Sequence, residues 1–215
     1  MRQSSSHRAI HRVSCTAPPP QSTNVSLLPL LDHSLIATAT KPALDVESPD
    51  GSVTSFTFGD LEERSNRFAR VLHDRGIRRG DRLAFLLANR VEIVDVWLAC
   101  VKLGVIVVPI NVLYQSREIA HIVTDVDPKA VITTADRFAD IAGDRERWNV
   151  DELSVQAMNL GGVAARSDVA MAARCDADTP LALVYTSGTT GASKGAILTH
   201  GNFAANALAV VTAWG

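Results

Sequence analysis

Arg82-Leu-Ala-Phe-Leu-Leu-Ala88 is apolar at every position after its arginine. A run that continuous suits a β-strand buried on both faces, as in a parallel sheet covered by helices. Val105-Ile-Val-Val-Pro-Ile110 and Leu181-Ala-Leu-Val-Tyr185 repeat the pattern, and Ala130-Val-Ile-Thr133 is a shorter case. Helical periods lie between these runs. Phe56 and Phe58 alternate with polar neighbours as a short strand. Thr57-Phe-Gly-Asp60 then fits a capping box, in which the Thr hydroxyl and the Asp carboxylate satisfy the first helical amides. Leu61, Phe68, Val71 and Leu72 follow on one face, and the helix ends near Gly76. Val91, Val94, Leu98 and Val101 form the stripe of a second helix, with Asn89 and Glu92 as caps and Gly104 closing it. A third runs from Ser116 to about Asp125 and carries Ile119, Ile122 and Val123. Strand and helix alternating in this way predict an α/β fold, a largely parallel sheet flanked by helices. Residues 135–179 carry no clear period and read as less regular.

The 215 residues, 23.0 kDa, are 47% hydrophobic and 20% charged, enough to bury a core. With 21 basic against 23 acidic residues and a net charge of −2, the chain lacks the basic surface of a nucleic-acid or anionic-membrane binder. No uncharged apolar stretch of about 18 residues exists, so no membrane span is expected. The nearest, Val96 to Ile110, is interrupted by Lys102 and runs into Pro109. Cys15, Cys100 and Cys175 are odd in number and widely spaced, which is neither a disulfide framework nor a zinc pattern. They read as free thiols in a reducing, cytoplasmic compartment. His7, His11, His33, His73, His121 and His200 show no metal-type spacing, and no metal site is assigned.

Residues 1–26 differ from the rest. They hold Arg2, Arg8, Arg12, Ser4-Ser-Ser6 and Pro18-Pro-Pro20, and no acidic residue precedes Asp32. This composition predicts a disordered extension, or a transit-like sequence that would make the mitochondrion the alternative location. The globular part is expected to be 27–215.

After the apolar run to Tyr185 comes Thr186-Ser-Gly-Thr-Thr-Gly-Ala-Ser-Lys-Gly195. Glycines let backbone approach a ligand closely. Successive N–H groups and hydroxyls can donate to phosphate oxygens, and a lysine adds a mobile positive charge. This is the equipment for a polyphosphate. The P-loop spacing fails: counted from Gly188, Ser193 stands at the second glycine and Gly195 follows the lysine. A P-loop also opens a helix, whereas Ala196 to His200 reads as a returning strand. Asp125 with Asp127, and Asp176 with Asp178, read as solvated caps in turns. Trp97 reads as core, and His200 as the holder of a structural hydrogen bond.

Tyr185 to Gly195 resembles the signature phosphate loop of the adenylate-forming superfamily, which comprises acyl- and aryl-CoA synthetases, luciferases and peptide-synthetase adenylation domains. Its usual form is Tyr-Thr-Ser-Gly-Thr-Thr-Gly-x-Pro-Lys-Gly, with Ser193 here in the Pro position. Leu198-Thr-His-Gly-Asn202, Phe58-Gly-Asp-Leu61 and Gly104 to Asn111 also resemble the family, so the likeness covers about 27–215. It implies an AMP-forming acid–thiol ligase. A carboxylate attacks the α-phosphate of ATP carried with Mg²⁺, and a thiol, usually that of coenzyme A, then displaces AMP. It implies that Thr186, Ser187, Gly188, Thr189, Thr190, Gly191 and Lys194 hold the leaving β- and γ-phosphates, with Lys194 as the catalytic cation and no general base. The family's later Gly-x-[Thr/Ser]-Glu motif, its ribose-binding aspartate and its lid lysine do not occur before Gly215. The chain is therefore expected to be the N-terminal portion of the family's large domain, with the missing C-terminal portion as its partner. The Phe58-Gly-Asp-Leu61 helix entry, Asn111-Val-Leu-Tyr114 and the Ser-Lys-Gly variant lean towards fatty-acyl- or malonyl-CoA synthetase-like members. The alternatives are a catalytically inactive truncated remnant and a nucleotide-binding module.

Overall fold

Leu83 and Phe85 pack on one side of a central sheet, Ala84 and Leu86 on the other, and all four are buried. They come from a computed structural model that describes residues 25–48, 50–160, 175–186 and 193–214. The extension expected over 1–26 lies outside these residues, apart from Val25 and Ser26. In chain order the elements are α1 (Leu27–Asp32), a π-type turn (His33–Ala37), β1 (Pro42–Glu47), β2 (Val53–Thr57), α2 (Phe58–Asp74), β3 (Arg82–Leu86), α3 (Val91–Leu103) and β4 (Ile106–Pro109). Then follow α4 (Ser116–Val126), β5 (Ala130–Thr133), a 3₁₀ turn (Ala135–Asp140), β6 (Arg147–Asn149), α5 (Val150–Asn159), β7 (Pro180–Thr186), β8 (Lys194–Thr199) and α6 (His200–Trp214).

β1 and β2 form an antiparallel pair of their own. The main sheet has six strands in the order β6-β5-β3-β4-β7-β8. Neighbours from β6 to β7 run parallel, and β8 returns antiparallel at the edge. Phe68 and Leu72 of α2, Val96 and Ala99 of α3 and Leu153 of α5 cover one face. Ile119, Ile122 and Val123 of α4 cover the other. The period-two alternation of a strand with both faces buried explains why β3 has no polar position after Arg82.

The helix ends follow the sequence signals with one exception. Thr57 Oγ1 accepts from the amide of Asp60 at 3.1 Å, and the Asp60 carboxylate takes the Thr57 amide at 2.8 Å, completing the capping box of α2. Phe58 is accordingly the first helical residue and not part of the strand. Gly104 closes α3 in the left-handed region at φ 66°. Asn89 does not cap α3: the N-cap is Arg90, with no side-chain bond to the helix amides. Glu92, in the first turn, instead takes the Arg90 guanidinium at 2.7 Å. The irregular reading of 135–179 is corrected as well, because β6 and α5 lie within it. Asn149 caps α5 by accepting the Asp151 amide at 3.1 Å, and Val150, Leu153 and Ala157 face the core.

Two charges inside the fold tie α2 to α3. Lys102, the residue that breaks the apolar run, is 2% exposed. Its ammonium donates to Glu62 Oε2 at 2.8 Å, Ser65 Oγ at 2.7 Å and Asn66 Oδ1 at 2.7 Å. Arg64 grips the fully buried Asp95 with two nitrogens, Nε to Oδ1 at 3.1 Å and Nη2 to Oδ2 at 2.6 Å. Burial pushes the Asp95 carboxyl up to about 6, and Arg64 offsets only part of that rise.

Candidate functional site

β3, β4, β5 and β7 are parallel, so Leu86, Pro109, Thr133 and Thr186 end at one edge of the sheet. In open α/β sheets the crevice beyond the carboxyl ends of the strands is where ligands bind. β7 delivers Thr186 to this edge and β8 leaves it at Lys194; the two residues are partners in the antiparallel register. The hairpin between them is the Gly/Ser/Thr loop. Thr186 and Lys194 are exposed at its mouth. Ser187, Gly188, Thr189, Thr190 and Gly191 lie outside the described residues. Among the described residues no carboxylate pairs with the Lys194 ammonium, so its charge is available to an incoming anion.

The strands that carry the mouth are locked one residue back. Tyr185 is the partner of Gly195, and a Cβ on Gly195 would meet the Tyr185 ring at 3.0 Å. The hydroxyl end of the ring therefore lies against the glycine, and that hydroxyl donates to Asp125 Oδ2 of α4 at 2.5 Å. Burial, then the Asp125 hydrogen bond and charge, push the Tyr185 phenol up, so it remains a protonated donor. One helical turn earlier, His121 Nε2 lies 3.1 Å from the carbonyl oxygen of Ser193. The imidazole stands edge-on to the Tyr185 ring, with centroids 6.4 Å apart at 87°.

The sequence candidates divide accordingly. Asp125 is exposed, as expected, but it is no cap: it lies within the last turn of α4 and accepts from the Tyr185 hydroxyl. Asp127 does cap: it ends α4 in the left-handed region at φ 50° and pairs with Arg145. Asp176 accepts from the Thr179 hydroxyl at 2.6 Å within a turn. Trp97 is half-buried against Phe203, with ring centroids 5.9 Å apart. His200 is fully buried, and burial pushes its imidazole below the ordinary range. It follows the far end of β8, whose span from Lys194 to Thr199 is about 16 Å. Its Nδ1 is 3.5 Å from Ser26 Oγ, and Nε2 has no partner among the described residues. Its role is in the packing of α1 against α6, not at the hairpin mouth.

The residues that sequence reading missed are His121 and Asp125. The one available signal was their i, i+4 spacing, which puts them on the same face of α4. Cys100 and Cys175 are unpaired, and burial pushes both thiols up. Neither is an activated nucleophile.

The family model described as AMP-binding enzyme matches residues 31–215. The crotonobetaine/carnitine–CoA ligase of Salmonella paratyphi A is 31% identical over 176 residues, 75% of this chain and 34% of the ligase. A protein of Salinispora arenicola named as a nonribosomal peptide synthetase is 34% identical over 180 residues, 83% of this chain and 2% of that protein. The crystal structure of ATP-bound MatB from Rhodopseudomonas palustris is similar with a TM-score of 0.69 and 32% identity, covering 86% of this chain and 37% of MatB. The chain thus spans about a third of the length of the ligase and of MatB.

Proposed function

The chain belongs to the AMP-binding enzyme family, and from that premise we propose that residues 27–215 are the N-terminal part of the adenylation domain of an AMP-forming acid–thiol ligase. In this reading Thr186, Ser187, Gly188, Thr189, Thr190, Gly191 and Lys194 hold the β- and γ-phosphates of ATP. The observation that carries it is the hairpin mouth: a Thr–Lys pair at the carboxyl edge of a parallel sheet, with an exposed ammonium that no described carboxylate neutralises. Support also comes from the ATP-bound state of MatB.

The chemistry assigned to the loop is electrostatic. An oxygen of the substrate carboxylate bonds to the α-phosphorus, and the bond from that phosphorus to the bridging oxygen breaks. The product is an acyl-adenylate, and pyrophosphate leaves with the added negative charge. Loop N–H groups and hydroxyls donate to the departing oxygens, and Lys194 offsets their charge. The substrate arrives already ionised, so this step requires no general base. A thiol then attacks the acyl carbon and AMP leaves. Coenzyme A is the proposed acceptor, in line with the name of the Salmonella ligase. No three His, Cys, Asp or Glu side chains gather into a ligand set among the described residues. Magnesium is therefore proposed to enter with ATP, held chiefly by its phosphates, and no step assigned to this chain runs through it. Because the chain spans 34% of that ligase, we propose that the 215 residues alone bind phosphate without completing the reaction.

The test is calorimetric titration of the chain with inorganic pyrophosphate. Binding that Lys194→Ala weakens about tenfold or more supports the assignment. A wild-type chain that binds no pyrophosphate, or a variant that binds it equally well, refutes it. ATP–pyrophosphate exchange by the complete protein across a panel of carboxylic acids then identifies the substrate class.

A further inference from the structure

We propose that His121 is a positioning residue for the phosphate loop, a role that rests on the assignment of that loop to a polyphosphate. The basis is a two-point clasp. α4 packs on the sheet face beneath β7, where Ile119, Ile122 and Val123 meet Leu183 and Tyr185 in one buried cluster. From that seat it presents His121 and Asp125 to the two flanks of the hairpin. Asp125 holds the outgoing flank by accepting the Tyr185 hydroxyl at 2.5 Å. His121 holds the return flank at the Ser193 carbonyl, at 3.1 Å. A carbonyl oxygen only accepts, so Nε2 is the protonated nitrogen of the ring.

The consequence falls on Lys194. The Ser193 carbonyl and the Lys194 amide belong to one planar peptide unit. Anchoring that carbonyl stops the unit from rotating and fixes the direction in which the Lys194 side chain leaves the strand. Asp125 and His121 are four residues apart on a rigid helix, so the two bonds also set the height of Tyr185 against Ser193. Ser193 has no ring to restrict its own φ, as a proline in that place would have. The hydrogen bond from His121 supplies a restraint from outside the loop. His121 touches no reacting atom in this scheme and acts through the backbone of Ser193 and Lys194.

The experiment compares three forms of the 215-residue chain: wild type, His121→Phe and His121→Gln. Phenylalanine keeps an aromatic edge beside Tyr185 but donates no hydrogen bond. Glutamine restores a side-chain donor. Amide hydrogen exchange is read on a peptide spanning Ser193 to Leu198 without ligand, and affinity for inorganic pyrophosphate is read by calorimetry. His121→Phe is expected to speed exchange and weaken pyrophosphate binding, each about two- to tenfold, the effect of one ordinary hydrogen bond. The thermal midpoint should hold within about 2 °C, because His121 is exposed. His121→Gln should recover most of both losses. His121→Phe matching wild type in exchange and in affinity overturns the proposal. A wild-type chain that binds no pyrophosphate overturns it through its premise, and the exchange result then separates failure of the phosphate assignment from failure of the tether.

Discussion

Tyr185 and Gly195 face each other across the β7–β8 pair, and a Cβ on the glycine would lie 3.0 Å from Cζ and 3.2 Å from the hydroxyl of the tyrosine. The ring is restrained, since its hydroxyl is bonded to Asp125 and the residue is 8% exposed. Gly195→Ala should therefore destabilise the chain by about 1–3 kcal/mol, the usual range for overpacking. In a Tyr185→Leu background the same substitution should cost much less. Urea unfolding of the four forms checks this, and equal losses in both backgrounds would contradict it.

Gly201 presents a harder contact. A Cβ there would lie 2.9 Å from the backbone oxygen of Ala177, the same atom that accepts the Gly201 amide at 2.8 Å. The clash is with backbone, so no rotamer relieves it. Gly201→Ala should lower stability by at least about 1–3 kcal/mol and loosen the turn into α6. An unchanged urea midpoint would show that the 177–179 turn yields freely.

The strands were legible because burial on both faces leaves an unbroken apolar run, as in Leu83 to Leu86, and the predicted bounds of Ala130–Thr133 match the structure. Capping chemistry marked Thr57 and Gly104 for the same local reason. β6 was not legible, because three residues have no period and Arg147-Trp-Asn149 is a strand only through its pairing with β5. The loop at 186–194 announced itself by composition. His121 and Asp125 did not, since their partners lie 72 and 60 residues away. Only the sheet order that sets β7 beside β4 brings α4 to the hairpin. The reading of Asp125 as a cap missed its bond to Tyr185 for this reason.

Asp95 should leave a signature in the pH dependence of stability. Its folded carboxyl titrates at about 6, above the ordinary 3.8, so the folded chain holds this proton more firmly than the unfolded one. Its contribution favours the fold fully below about 3.8 and is lost as pH rises through 6. Asp95→Asn does not titrate and keeps an acceptor for Arg64. It should remove a downward slope in stability between those two values. Parallel curves for wild type and Asp95→Asn over that window would contradict the assignment.

The C-terminal half of α6 exposes Leu208, Val210, Val211 and Trp214, with Val211 at 67% and Trp214 at 86%. An apolar face of this kind promotes association. The 215-residue chain should run as oligomers on size-exclusion chromatography with light scattering, and Val211→Lys with Trp214→Lys should shift it towards monomer. A sharp wild-type monomer peak would count against this.

The central claim is that Lys194 serves the pyrophosphate leaving group, and it is tested most directly by measuring the two half-reactions of the complete protein separately. Adenylation is followed by ATP–pyrophosphate exchange, and thiol transfer is followed from preformed acyl-adenylate. Lys194→Ala should lower the first about 10²-fold or more, the usual effect of removing one electrostatic donor, and the second far less, because pyrophosphate has already left. Equal loss in both half-reactions would contradict the account.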